Sequence, residues 1–189
     1  MNKVKEIGKN ILFVIVVIFV FAQLFFNSLT VADSNTNERR HDLDRIIEQR
    51  SNDTYNLLNV MIVKMPNQRP LFIKIANNSD KIVKAVDLKT EMDVNKQLES
   101  EYKQLARLVS NDSDKNIQQA YNEFIESETI FRYYVNDYNK SATKYNNVLK
   151  FYSRLIPQEK LTVFYSPPYM LWVPGYPASN ENVKEDLLK

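Results

Sequence analysis

The sequence predicts an all-α fold: an N-terminal transmembrane helix followed by an antiparallel bundle of three to four long helices. Three observations predict it. Residues 11–26 form an uncharged, almost wholly apolar run; glycine is nearly absent; and one heptad rhythm runs without a break from Ile117 to Ile156.

The apolar run sets the first element. Ile11 to Phe26 is apolar at every position but Gln23. As a helix it is roughly 24 Å long, and roughly 30 Å if extended to Val31, about one hydrocarbon thickness. A backbone in lipid must satisfy its own hydrogen bonds, which requires a helix. A cleaved signal peptide is the competing reading, with a basic start and a cut after Ala32, but the run is long for a signal core and Thr30-Val31-Ala32 is a poor small-x-small site. Lys3, Lys5 and Lys9 precede the run, while the nearest basic residues after it are Arg39 and Arg40. The positive-inside bias then keeps the N-terminus in the cytoplasm and places the domain outside; the opposite orientation is the alternative.

Scarce glycine sets the class of the rest. The chain has 189 residues, room for one modest domain plus an anchor, and only two glycines, Gly8 and Gly175. Sheets and phosphate loops spend glycine on turns and close approach. There is no cysteine, which excludes disulfides, thiolate zinc sites and a lipidated cysteine. Formal charge is +2, and Lys3, Lys5 and Lys9 against Glu6 already supply it. The remainder is balanced, so no nucleic-acid partner is expected.

The order along the chain is then a basic tail at 1–10, a transmembrane helix at 11–31, a polar linker at 32–37, a helical domain at 38–157 and an aromatic, proline-rich extended tail at 158–189. A helix is expected to begin near Glu38, with Leu43, Ile46, Ile47, Leu57, Leu58 and Met61 at helical spacings. Pro66 and Pro70 break it. Leu71 to Ala76 reads as the start of another helix, and Leu98, Tyr102, Leu105 and Val109 mark a third stretch of helix. Asp112 or Ser113 is the expected cap of the long helix beyond the polar turn at 110–114.

The longest rhythm is Ile117, Tyr121, Phe124, Glu128, Phe131, Val135, Tyr138, Ala142, Tyr145, Leu149, Tyr152 and Ile156, ended by Pro157. A sustained 3.5-residue period means a seam packed against other helices in a left-handed supercoil. Its four tyrosines suit an intrachain bundle better than a zipper dimer. Glu128 is the one charge in the seam. Buried alone it costs several kcal/mol, so it is a register lock or ligand contact, a partly exposed position, or the partner of an arginine such as Arg45, Arg50 or Arg107. The tail from Phe164 to Pro177 carries four prolines and many aromatics. It reads as an extended strap along the bundle, or a segment for a partner or the membrane interface, with Asn180 to Lys189 frayed.

Several of these residues carry a family pattern. Glu123-Phe124-Ile125-Glu126-Ser127-Glu128, then Tyr138-Asn139 and Tyr145-Asn146 one heptad apart, then Tyr152 with Leu155-Ile156, resemble the LemA family, as does Arg39-Arg40-His41-Asp42-Leu43 near the start of the soluble part. Ser153 stands where the family has proline, the Ile-Pro-Asn after the arginine motif is absent, and residues 51–110 match only in helical character, which describes a divergent member. The resemblance implies a membrane-tethered antiparallel helical bundle with no established enzymatic activity, and in many members a cytoplasmic domain. From the residues themselves, Asn139 and Asn146 flank the seam where an amide bonds to a neighbouring helix and fixes alignment.

Chemistry is sparse. His41 is the single histidine, so a histidine metal pair or a catalytic triad has no second member, and no cofactor is expected. Glu123, Glu126 and Glu128 are near in sequence, but 126 and 128 do not share a helix face, and the group reads as a solvated acidic flank. The function expected is a non-enzymatic scaffold or protein-interaction module at the membrane, binding a protein partner or itself. An envelope-disrupting lysis accessory, or a secreted helical binding module after cleavage, are the alternatives.

Overall fold

The computed structural model describes residues 2–152 and 179–189, with side chains for 8–150 and 179–189. Every element among them is helical: α1 (Asn2–Lys64), a 3-10 turn (Pro66–Gln68), α2 (Arg69–Val83), α3 (Leu88–Ser110), α4 (Lys115–Tyr152) and α5 (Asn180–Leu188). Each boundary has a local cause. Pro66 stops α1, and Pro70 sits in the first turn of α2, where a missing N–H costs nothing. Asp87 caps α3, its carboxylate accepting from the Thr90 N–H at 2.9 Å. The α4 cap falls one residue later than the sequence indicates. Asp114 accepts from the N–H groups of Asn116 at 2.8 Å and Ile117 at 3.5 Å, while Asp112 accepts from the Asp114 N–H at 2.7 Å.

Two expectations are corrected. Residues 32–37 are not a linker, and no new helix starts at Glu38, because α1 is one helix of 63 residues, about 95 Å long. The polar residues there misled because none of them breaks a helix. Ala32 and Thr36 turn inward and are buried, Thr36 donating its hydroxyl to the Ala32 carbonyl at 2.8 Å. The second correction is at the C-terminus. Residues 180–188 are helical rather than frayed: Ser179 caps α5 by accepting from the Asn182 N–H, and Val183 and Leu187, one turn apart, bury in the core. The stretch from Ser153 to Pro177, with Ile156, Pro157 and the aromatic strap, lies outside the described residues.

Directions follow from the contacts. Along α1 and α4 the partners run in opposite senses: Phe25, Leu29 and Ala32 with Tyr145 and Leu149, Arg39 with Asp137, Arg50 with Glu128, Lys64 with Asp114. Tyr55 donates to the Ala76 carbonyl and the Asp80 carboxylate, and Ser51 reaches the Ser79 carbonyl, so α2 returns against α1. Arg40 with Glu91, Arg50 with Asn95 and Thr54 with Tyr102 make α3 run parallel to α1.

All ten seam residues from Ile117 to Leu149 are buried, Glu128 included. Together with Leu43, Leu57, Met61, Phe72, Ile75, Leu98, Leu105 and the α5 pair, most of them form one large core. Each such side chain contributes about 1.5–3 kcal/mol on burial. A smaller, separate cluster of Phe25, Leu29, Ala32, Tyr145 and Leu149 sits beside the apolar end of α1. Beyond it, Ile11 to Phe21 project into open space, with Phe13 69% and Phe21 67% exposed. This one helix near the N-terminus is long and apolar enough to cross a membrane.

Candidate functional site

The most concentrated chemistry is a buried ionic centre where α1, α3 and α4 meet. Arg50 is brought inside because it falls on the same face of α1 as Leu43, Ile46, Ile47, Leu57 and Met61. Its Nε donates to Glu128 Oε1, and its Nη1 donates to Asn95 Oδ1 at 2.6 Å. Asn95 in turn donates to Glu99 Oε1 at 3.1 Å. The guanidinium carbon Cζ lies over the Phe131 ring, 4.1 Å from its centre, and over that of Tyr102 at 5.0 Å. Tyr102 shares a 3.0 Å hydrogen bond with Thr54, whose hydroxyl also reaches the Arg50 carbonyl at 2.8 Å. The Arg50 Nη2 is buried without a hydrogen-bond partner.

Burial is the largest influence and opposes the Arg50 charge, but Glu128, Tyr102 and Glu99 together outweigh it and the pKa moves up. Arg50 and Glu128 are each only 1% exposed. Burial also pushes the Tyr102 hydroxyl up, and it pushes Tyr121 to about 12, with the Glu128 charge adding to the shift. A substrate has no route to either ion. Three helices meet at one fork of donors: sliding α1 against α4 by a turn strands a buried charge, and sliding α3 withdraws the Asn95 acceptor.

A second, shallower centre lies two to three turns along α1. Arg40 forks onto Glu91, Nη1 to Oε2 at 2.7 Å with a second bond from Nη2 to Oε1, and reaches Asp44 at 2.8 Å. Glu91 is 3% exposed and Arg40 half-buried. The two line a cleft of about 520 Å³ between α1 and the α2–α3 turn, with Asp44, Arg45, Glu48 and Val86 around them. Charges of both signs line it, unlike the mostly apolar walls of small-molecule sites. Among the described residues no group of three or more His, Cys, Asp or Glu side chains is placed to hold a metal ion.

The residues singled out from the sequence fall into two places. Arg39, Arg40, Asp42 and Leu43 come together with Tyr138: Arg39 pairs with Asp137 at 3.1 Å and with Asp42 at 3.5 Å, and Leu43 and Tyr138 share the main core. Burial pushes the Tyr138 hydroxyl up, and the Arg40 charge pulls it back. Tyr145 lies in the smaller cluster instead, nearer the apolar end. Asn139 and Asn146 are half-buried on the flank of α4. Glu128 pairs with Arg50, one of the three arginines considered for it. Glu123 and Glu126 are exposed.

Sequence reasoning missed Asn95, Glu99, Glu91 and Glu101, all buried on α3. Glu101 accepts from Asn78 at 2.8 Å and pairs with Lys74 of α2 at 3.2 Å. A signal existed: Glu91, Val94, Leu98, Glu101 and Leu105 keep the core spacing of α3, so charges stood at core positions there as at Glu128. No protein-family model matches the chain, and none of the curated proteins compared with it matches.

Proposed function

We propose that the chain is a single-pass membrane protein of the LemA type, in which α1 to α4 form an antiparallel helical bundle that serves as a non-enzymatic scaffold or protein-interaction module at the membrane. The observation that carries this reading is the continuity of α1. One helix runs from an apolar stretch open to its surroundings into the centre of the packed core. A bare face of Ile, Val and Phe is stable in lipid and not in water.

The same continuity favours a retained anchor over a cleaved leader. Ala32, the residue before the possible cut, is buried in the cluster with Tyr145. Cleavage there would remove Phe25 and Leu29 from that cluster. The scaffold assignment draws on the ionic centre, whose charged residues are committed to holding helices together, and on the cleft of mixed charge beside Arg40, which suits the polar rim of a protein contact. The flanking lysines favour a cytoplasmic N-terminus with the bundle outside.

The test uses the full chain with a C-terminal tag. Alkaline extraction should leave it in the membrane pellet, mass spectrometry should find an intact N-terminus, and cross-linking in the membrane should capture a protein partner or a second copy through residues 38–189. External protease should remove the tag from sealed right-side-out vesicles. A mature chain starting at Asp33 would sink the anchor, and a chain that stays monomeric and uncross-linked would sink the scaffold.

A further inference from the structure

We propose that the C-terminal turns of α4 lie in the headgroup layer of the bilayer that α1 enters, so that α1 and α4 form one two-helix membrane unit. This rests on the anchor reading above and deepens it.

The direction of α4 comes first. Since α4 runs against α1, the turns beyond Asp137 descend α1 towards its apolar end. Tyr145 and Leu149 reach Phe25, Leu29 and Ala32, and they do so in a cluster detached from the main core, where among the described residues only two helices meet. At that height the other faces of α1 are bare: Leu24 is 61%, Phe26 54% and Val31 58% exposed. Large apolar side chains on the open side need apolar cover, and the bilayer that receives Ile11 to Phe21 is continuous with them.

Length agrees. The stretch ahead of the cluster that no described residue buries, Ile11 to Leu24, is only about 21 Å long, short of a hydrocarbon core of about 30 Å. Carried to Val31 on the open face it reaches about 30 Å. Asn27, Ser28 and Thr30 are exposed within the added turns, and the exposed Asp33 marks where the uncharged stretch ends. The edge of the hydrocarbon therefore crosses the segment that Tyr145 and Leu149 cover.

The outward face of α4 identifies the layer. Lys144, Asn147 and Lys150 are exposed there, while Tyr145 and Leu149 face α1. Two lysines and an amide are costly in hydrocarbon, whereas lysine stems extend readily to headgroups. The partner that fits cations at this height is the phosphate of anionic phospholipid.

The absence of cysteine makes a depth measurement direct. Single variants Phe19→Cys, Asn147→Cys and Asn111→Cys, each carrying an environment-sensitive dye, are placed in nanodiscs with nitroxide quenchers at either the headgroup or the deep acyl chain. The expected result is deep quenching at 19, headgroup quenching at 147 several-fold above that at 111, and a fall at 147 towards the level at 111 when Lys144→Glu and Lys150→Glu are combined in anionic discs. A water-exposed label at 19 would overturn the anchor itself. A deep label at 19 with 147 quenched no more than 111 overturns the α4 inference and leaves the anchor standing. Unchanged quenching at 147 in the double lysine variant overturns the phosphate contact.

Discussion

The two ends of the α1–α4 seam are built differently. In the middle, around Arg50 and Glu128, the seam is flanked by α3, and α2 and α5 close the same core. At the apolar end, around Leu29 and Leu149, only two helices meet among the described residues and large side chains on α1 are exposed. The middle can enclose a fully desolvated ion pair because surrounding helices supply hydrogen bonds and rings. Among the described residues the end does not cover its own apolar surface, and in the proposed reading lipid completes it. The same heptad rhythm thus serves an enclosed core in one place and, in the reading proposed above, a membrane boundary in the other.

The largest expected effect is in the middle. Glu128→Ala leaves Arg50 charged, buried and missing its main acceptor. Breaking one side of a buried pair costs about 3–5 kcal/mol, so chemical denaturation of the detergent-solubilised protein should show a loss of that size. Replacing both ions together, Arg50→Met with Glu128→Leu, should recover most of it. If the double change costs as much as the sum of the two singles, the register-lock account fails.

Core truncations sharpen the contrast between the two ends. Leu105→Ala opens a void at a site with no exposure and should cost towards the upper part of the usual range of about 2–5 kcal/mol. Leu149→Ala, in the two-helix cluster, should fall at or below the lower end, because detergent or lipid can fill the space. Equal losses at the two sites would remove the distinction between the enclosed and the open parts of the seam.

A residue rhythm is legible only where its neighbours contrast with it. From Ile117 to Leu149 the period stood out because polar residues separate the seam positions. The same 4-3 spacing in α1, through Phe25, Leu29, Ala32 and Thr36, was hidden, because the first two lie where nearly every neighbour is apolar and the last borders residues that resemble a loop. Composition there described the surroundings that the side chains favour and not the backbone. Glu128 was legible as an anomaly, with Arg50 among three possible partners, but Asn95 and Glu99 were not. Their role depends on a third helix whose register only the fold supplies. In α5, the Ser179 cap and the Val183–Leu187 pair were readable signals that the short length of the segment obscured.

Alkaline pH probes the middle of the seam more gently. Tyr121 is buried there beside Glu128, and its hydroxyl is pushed up to about 12. The folded state holds that proton more tightly than the unfolded chain, whose tyrosines titrate near 10. Stability from this group is therefore complete below pH 10 and lost as the pH rises from 10 towards 12. Two units correspond to about 2.7 kcal/mol at most. Tyr121→Phe, which has no proton to lose, should flatten the decline in denaturation free energy across that window by about 2 kcal/mol. A decline of unchanged steepness would place the alkaline sensitivity elsewhere.

The smallest effect belongs to an ion pair on the same seam that solvent reaches. Arg39 meets Asp137 at 3.1 Å, with the two side chains 39% and 27% exposed. It joins the same two helices as Arg50 and Glu128, three turns away, so pair chemistry and helix partners are held constant while burial changes. Water screens such a pair and already solvates both ions when it breaks, which limits its worth to about 0.2–1 kcal/mol. Arg39→Ala should therefore cost less than about 1 kcal/mol and lose even that as salt is raised to 1 M, where screening acts over about 3 Å. The Glu128→Ala loss should persist at the same salt, since ions do not enter the core. A salt-insensitive penalty of several kcal/mol at Arg39 would show that this end of the seam is as enclosed as the middle, and would erase the difference from which the membrane-edge inference is drawn.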